Sequence, residues 1–199
     1  MSPDILTFSG RYFNFMTPET SEFDIYDIAQ GLSNCCRFAG QTSTFYSVAQ
    51  HSVLVSQLVP EQFALQGLLH DGAEAFIGDV TRPLKALLPD YKAIERRVES
   101  AIFHRFGLPS KLAPEVKKAD IQMLGFEQRA FMNKGGEQWE VLQGADLSVA
   151  VELVPLLPAQ ARALFVDRYM EITGGLEFDP LVTDPSSKWP FKRLERGSL

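Results

Sequence analysis

An all-α fold is what the chain predicts, and three observations predict it. Apolar residues recur at three- and four-residue steps in successive stretches of the 199-residue sequence, the spacing that lines one face of a helix. Capping residues, prolines and glycines punctuate those stretches where helices start and stop. Nothing alternates strand and helix regularly enough to build a parallel sheet. The length suits one domain with a full hydrophobic core, so residues 1–199 read as a single helical bundle.

Residues 1–24 read as an arm. Within it Ser9–Phe15, SGRYFNF, alternates aromatic with other residues and allows a short strand and a short N-terminal β-hairpin, broken by Thr17-Pro18. From Asp24 to Phe38, Ile25, Ile28, Ala29, Leu32 and Cys36 share a helical face, with Gly40 as the stop. Thr42 or Thr44 is placed to cap a second helix through Phe45, Val48, Ala49, Ser52, Val55 and Val59, closed before Pro60. A third is expected from about Glu61 to Phe76, ended by the Gly78-Asp79 turn. Tyr91–Phe106 is amphipathic, with Gly107 as its C-terminal cap. Pro114 to about Met132 opens on proline and stops near Gly135-Gly136. The last helix covers about Ala159–Ile172, closed by Gly174-Gly175. Residues 176–199, with Pro180, Pro185 and Pro190, read as an irregular tail.

Hydrophobic residues make up 45% and charged residues 22% of the chain, an ordinary globular composition. No apolar run approaches the ~20 residues of a membrane-spanning helix, and Met1–Gly10 lacks the basic and apolar regions of a secretory signal. Cys35 and Cys36 are adjacent and are the only cysteines; they read as reduced thiols in a cytoplasmic protein. A net charge of −6 argues against a nucleic acid polymer as partner. It leaves room for a small phosphorylated substrate at a site made locally positive by a metal and a few basic side chains.

The chemistry concentrates in Leu68–Val80, LLHDGAEAFIGDV. A stretch that reads as buried helix carries His70, Asp71 and Glu74, and Asp79 follows. Buried charge is costly unless it is paired or coordinates a metal. Of the three histidines, His51 lies mid-helix in YSVAQHSVLV, and Asp120 enters an apolar face in VKKADIQML. A lone helical histidine is most often a core or surface residue, and His104 reads as a charge partner for a helix C-terminus. Two histidines and two aspartates on three helices are a different matter. Mixed imidazole and carboxylate suits Mn, Co, Zn or Fe.

These three segments resemble the signature blocks of HD-domain phosphohydrolases, in particular the branch with bacterial 5′-deoxynucleotidases and phage dATP triphosphohydrolases, over about Cys36 to Phe126. The resemblance implies an HD-domain helical bundle in which His51, His70, Asp71 and Asp120 hold one divalent transition metal and Glu74 and Asp79 are catalytic. It implies that Arg37 and Phe38, in CRFAGQ, hold the phosphate and the nucleoside, and that Lys85, in TRPLK, binds phosphate. The nucleotidases usually carry Trp where this chain has Phe38.

The residue chemistry is consistent with those roles. One helical turn puts Glu74 on the face of His70 and Asp71, where a carboxylate orients an attacking water and takes its proton; its blander role is to orient a ligand. Asp79 is placed to position that water or protonate the leaving oxygen. Arg37 offers a two-pronged grip on phosphate, and Lys85 a point charge, unless Arg82 and Lys85 form a solvated face. The expected activity is cleavage of the 5′-phosphate ester of deoxynucleoside monophosphates. The alternative is a triphosphohydrolase, whose substrate would bring Mg with it. The rival of another class is a regulatory HD module that holds a metal or nucleotide without turnover. A homo-oligomer, dimer or higher, is expected from the Phe-rich arm and the tail, and no membrane partner is expected.

Overall fold

The computed structural model describes residues 2–132, 139–148, 153–178 and 191–193. As expected, the architecture is all-α. Helices α1 (Ile25–Asn34), α2 (Val48–Leu58), α3 (Ala64–Leu69), α4 (Glu74–Ile77), α5 (Arg82–Ala86), α6 (Pro89–Arg105), α7 (Pro114–Phe131) and α8 (Pro158–Thr173) follow one another along the chain. Strands β1 (Asp4–Leu6) and β2 (Tyr12–Asn14) form the N-terminal antiparallel hairpin, with Ile5 opposite Phe13. No described helix is long and apolar enough to cross a membrane.

Helix α2 is the centre of the bundle and packs on α1, α3, α7 and α8. Surrounded on every side, it buries polar and apolar residues alike: Val48, Ala49, Val53 and Val55, but also Gln50, His51, Ser52 and Ser56. Gln50, His51 and Ser56 find partners for their buried polar atoms, whereas the Ser52 hydroxyl has no hydrogen-bond partner among the described residues. Gln50 donates to the Val154 carbonyl at 2.7 Å and accepts from the Leu156 amide at 3.0 Å, so the glutamine pins the segment that leads into α8. Gly67 lets α3 close on α2, where a Cβ would stand 3.1 Å from the Ser56 Cα. Gly31 does the same for α1 and α4, where a Cβ would meet the Ala75 carbonyl oxygen at 2.4 Å. Both close approaches set the position of the segment between α3 and α4.

The arm is tied to the body rather than loose. Asp24 and Asp27 form a reciprocal cap at the start of α1, and Asp27 also accepts the Ser9 amide and hydroxyl at 2.8 and 2.9 Å. Phe13 of β2 stacks on Phe76 of α4 at 3.9 Å between centroids, and Phe23 meets both rings edge-on at 5.5 Å.

Several expected boundaries move, each for a physical reason. Helix α1 stops at Asn34 instead of Phe38, because Cys35 and Cys36 are drawn into extended backbone. The Val48 amide donates to the Cys35 carbonyl and the Arg37 amide to the Tyr46 carbonyl. That pairing also carries Thr42–Phe45 outside α2, whose cap is Ser47, with its hydroxyl accepting the Gln50 amide at 3.2 Å, instead of Thr42 or Thr44. The single helix expected over Glu61–Phe76 is three pieces: a 3₁₀ turn at Glu61–Phe63, then α3, then α4. Between α3 and α4 the Gly72 amide reaches Leu69 and the Glu74 amide reaches Asp71, three-residue steps that tighten the chain at His70-Asp71. Helix α5 was not expected. The tail expected to be irregular contains β3 (Leu176–Phe178), antiparallel to β4 (Phe191–Arg193). The rest of that tail, and the Gly135-Gly136 stop, lie outside the described residues.

Candidate metal centre

Three elements converge on one point beside α2. His51 projects from its second turn, His70 and Asp71 from the tight turn after α3, and Asp120 from α7. His51 Nε2 lies 3.3 Å from His70 Nε2 and 3.2 Å from Asp120 Oδ1. Asp71 Oδ2 lies 3.3 Å from His70 Nε2 and 3.6 Å from His51 Nε2. His51, His70 and Asp120 each offer one ligand atom within 4.8 Å of the others, and Asp71 stands at the edge of that set. Two donors each about 2.1 Å from one ion sit roughly 3–3.5 Å apart, the spacing found here.

Hydrogen bonding at the far ring nitrogens makes the case for a cation stronger. His51 Nδ1 faces Glu127 Oε1 at 2.6 Å, and His70 Nδ1 faces the Gly67 carbonyl at 2.8 Å. Both partners are acceptors, so both protons belong on Nδ1. In the neutral rings, two Nε2 lone pairs then point at each other and at two carboxylates. Such a donor set needs a positive charge, and a divalent first-row ion fits it. Protons alone partly meet the need. Burial pulls both rings down, joined at His51 by the Arg37 charge, but in His51 Glu127 and Asp120, and in His70 Asp71 and Asp120, outweigh these and raise both rings above their ordinary value. The facing histidines hold Asp71 and Asp120 far below the carboxylate range against the opposing effect of burial.

Glu74 lies beside the centre, 8% exposed, with its Oε2 buried and lacking a hydrogen-bond partner among the described residues. Burial first, then the charges of Asp71 and Asp79, push it well above the usual carboxylate range. It faces a cavity of about 540 Å³ that also exposes His70, Asp71, Asp120 and Lys85. Lys85 is paired with Glu95. Lys111 and Lys117 line the same cavity, two cations that sequence spacing did not connect with the motifs.

Arg37, Phe38 and Asp79 are brought together outside that lining. Arg37 is buried, with one nitrogen 3.4 Å from Asp71 and another 3.1 Å from Glu127, and its guanidinium lies 5.2 Å from the centre of the Phe38 ring. Its Nε is buried without a hydrogen-bond partner among the described residues. Phe38 and Ala39 take left-handed backbone, φ 56° and 52°, which costs a residue with a side chain about 1–3 kcal/mol. Asp79 accepts the Phe38 amide at 3.1 Å, and its own amide donates to Cys35 Sγ at 3.2 Å, so this acid clamps the strained turn. Burial pushes the Cys35 thiol up to about 11. Trp139 comes within 6.0 Å of Phe38, ring to ring.

Sequence reasoning missed Glu127, Trp139, Lys111 and Lys117. A signal for Glu127 existed: it follows Asp120 by two helical turns, a second acid on the same apolar face. Trp139 lay in no periodic segment and carried none. His104 is exposed near the end of α6.

No family model matches the chain. It is similar to the uncharacterized protein YfdR of Escherichia coli, 44% identical over 169 residues that cover 85% of this chain and 95% of YfdR. It is also similar to an uncharacterized protein of Rhodobacter capsulatus, 38% identical over 121 residues covering 56% of this chain and 62% of that one.

Proposed function

The chain belongs to the family of Escherichia coli YfdR, and we propose that it is a metal-dependent phosphohydrolase of the HD-domain type that cleaves the 5′-phosphate ester of deoxynucleotides. The observation that carries this reading is the pair of facing Nε2 atoms, 3.3 Å apart, with both Nδ1 protons committed elsewhere and two aspartates at hand. His51, His70, Asp71 and Asp120 would hold Co, Mn, Zn or Fe. A divalent ion there lowers the pKa of water and screens phosphate charge.

The chain's own groups do the rest. Glu74, whose buried Oε2 has no hydrogen-bond partner among the described residues and which lines the cavity beside His70 and Asp71, accepts the proton of the attacking water. Arg37 meets phosphate on the side of the Phe38 turn, and Phe38 with Trp139 offers aromatic surface to the nucleoside. Asp79 holds that turn in place. Lys85 supplies positive charge from the cavity wall.

A deoxynucleoside monophosphate is the leading substrate. One observation favours the triphosphate instead: Lys111 and Lys117, beside the Lys85–Glu95 pair and Glu99, line the cavity that opens from the metal-holding acids, two cations placed to meet further phosphates with Mg. The deciding experiment strips the purified protein of metal and resupplies Co, Mn, Zn or Fe singly. It then offers deoxynucleoside mono- and triphosphates. Inorganic phosphate from the monophosphate supports the nucleotidase, and intact triphosphate from the triphosphate supports the alternative. Bound metal with neither product leaves the regulatory module.

A further inference from the structure

We propose that Glu127 is a positioning residue that fixes the tautomer of His51 and thereby makes its Nε2 a metal ligand; the inference rests on the reading of this centre as a metal site. Glu127 is fully buried on α7, two turns beyond Asp120, so one helix delivers both a ligand and the group that aims another ligand. Its Oε1 stands 2.6 Å from His51 Nδ1. An ionised carboxylate only accepts hydrogen bonds, so the proton belongs on Nδ1 and the Nε2 lone pair points at His70 and Asp120. The opposite tautomer would press two lone pairs together at 2.6 Å and turn an N–H toward the ligand set.

Arg37 secures this arrangement. Its guanidinium lies 3.1 Å from the other oxygen, Glu127 Oε2, and a fixed positive charge there keeps the carboxylate in its accepting form. Tyr46, fully buried, completes the surroundings, its hydroxyl driven up by burial and then by the Glu127 charge. At His70 the equivalent acceptor is the Gly67 carbonyl, a backbone group that substitution leaves in place. At His51 the choice of tautomer hangs on one side chain.

Glu127→Gln keeps the size but offers an amide N–H that can donate to Nδ1, which releases the tautomer. Cobalt titrated into the metal-free, full-length variant should bind about 10–100-fold more weakly than in the wild type. Affinity equal to wild type would overturn the proposal. Should the variant fail to fold, the wild type answers alone. In metal-free protein at alkaline pH, the ¹⁵N shifts of His51 should place the proton on Nδ1, and a proton on Nε2 overturns the assignment. A wild type that takes up no cobalt, zinc or manganese overturns this proposal together with the proposed function. Metal bound with the expected tautomer but no phosphate or triphosphate released sinks the activity and upholds Glu127.

Discussion

On α4, Phe76 lies flat against Phe13 with the ring planes 8° apart. Two residues earlier Glu74 ends in a buried oxygen with no hydrogen-bond partner among the described residues. One short helix thus joins two clusters of opposite kind. Below it, Phe13, Phe23, Phe76, Phe106 and Tyr169 pack ring against ring. Beyond it, His51, His70, Asp71, Asp120, Glu127 and Arg37 are buried or half-buried charged and polar groups that face one another. An apolar cluster is stabilised by the area it removes from water. A charged one is costly unless each group finds its counterpart. The first builds the fold, and the second is held in place by it.

That contrast breaks most sharply at the ligands. His70→Ala or Asp71→Ala should abolish both metal uptake and phosphate release while helical content stays, as metal analysis and circular dichroism of one preparation would reveal. Full metal occupancy in either variant would contradict the ligand set. Glu74→Ala should keep the metal and lose about 10²–10⁴-fold in turnover. Wild-type turnover would reduce Glu74 to a structural acid.

On the apolar side, Phe13→Ala should cost about 3–5 kcal/mol in denaturant unfolding and leave the metal stoichiometry unchanged. Loss of metal at full folding would mean that the two clusters are not separable.

The charged cluster should also respond to pH in a way the aromatic one does not. His51, His70 and Glu74 are raised, so the stability that protonation brings is present below their ordinary values and lost as pH rises through the folded ones. Asp71, Asp120 and Glu127 are lowered; their share is present above the ordinary carboxylate range and lost on acidification. As pH rises the metal-free centre progressively loses the protons that fill it, and a metal can take their place. The rise in Tm on adding zinc or cobalt should therefore be larger near pH ~8.5 than near pH ~5.5. Equal shifts would mean that protons and metal do not compete for the same ligands.

The smallest effect concerns the strained turn. Ala39→Gly should relieve left-handed strain and stabilise by up to about 1 kcal/mol in denaturant unfolding, partly offset by the freer unfolded chain.

The helices were legible because apolar spacing and caps are local signals: Pro114 and Gly174 bound α7 and α8 as read, and His51, His70 and Asp120 stood out as polar residues at buried helical positions. The break at His70-Asp71, the early end of α1 and the shift of the α2 cap to Ser47 were not legible. They follow from hydrogen bonds between Cys35–Arg37 and Tyr46–Val48 and from the close approach of α4 to Gly31. The sequence by itself determined which side chains were costly to bury. Only the tertiary structure decided how those costs are met, because Glu127 reaches His51 across 76 positions and Trp139 meets Phe38 from a segment with no periodicity. Pairings between distant segments are set by packing, which local spacing does not encode.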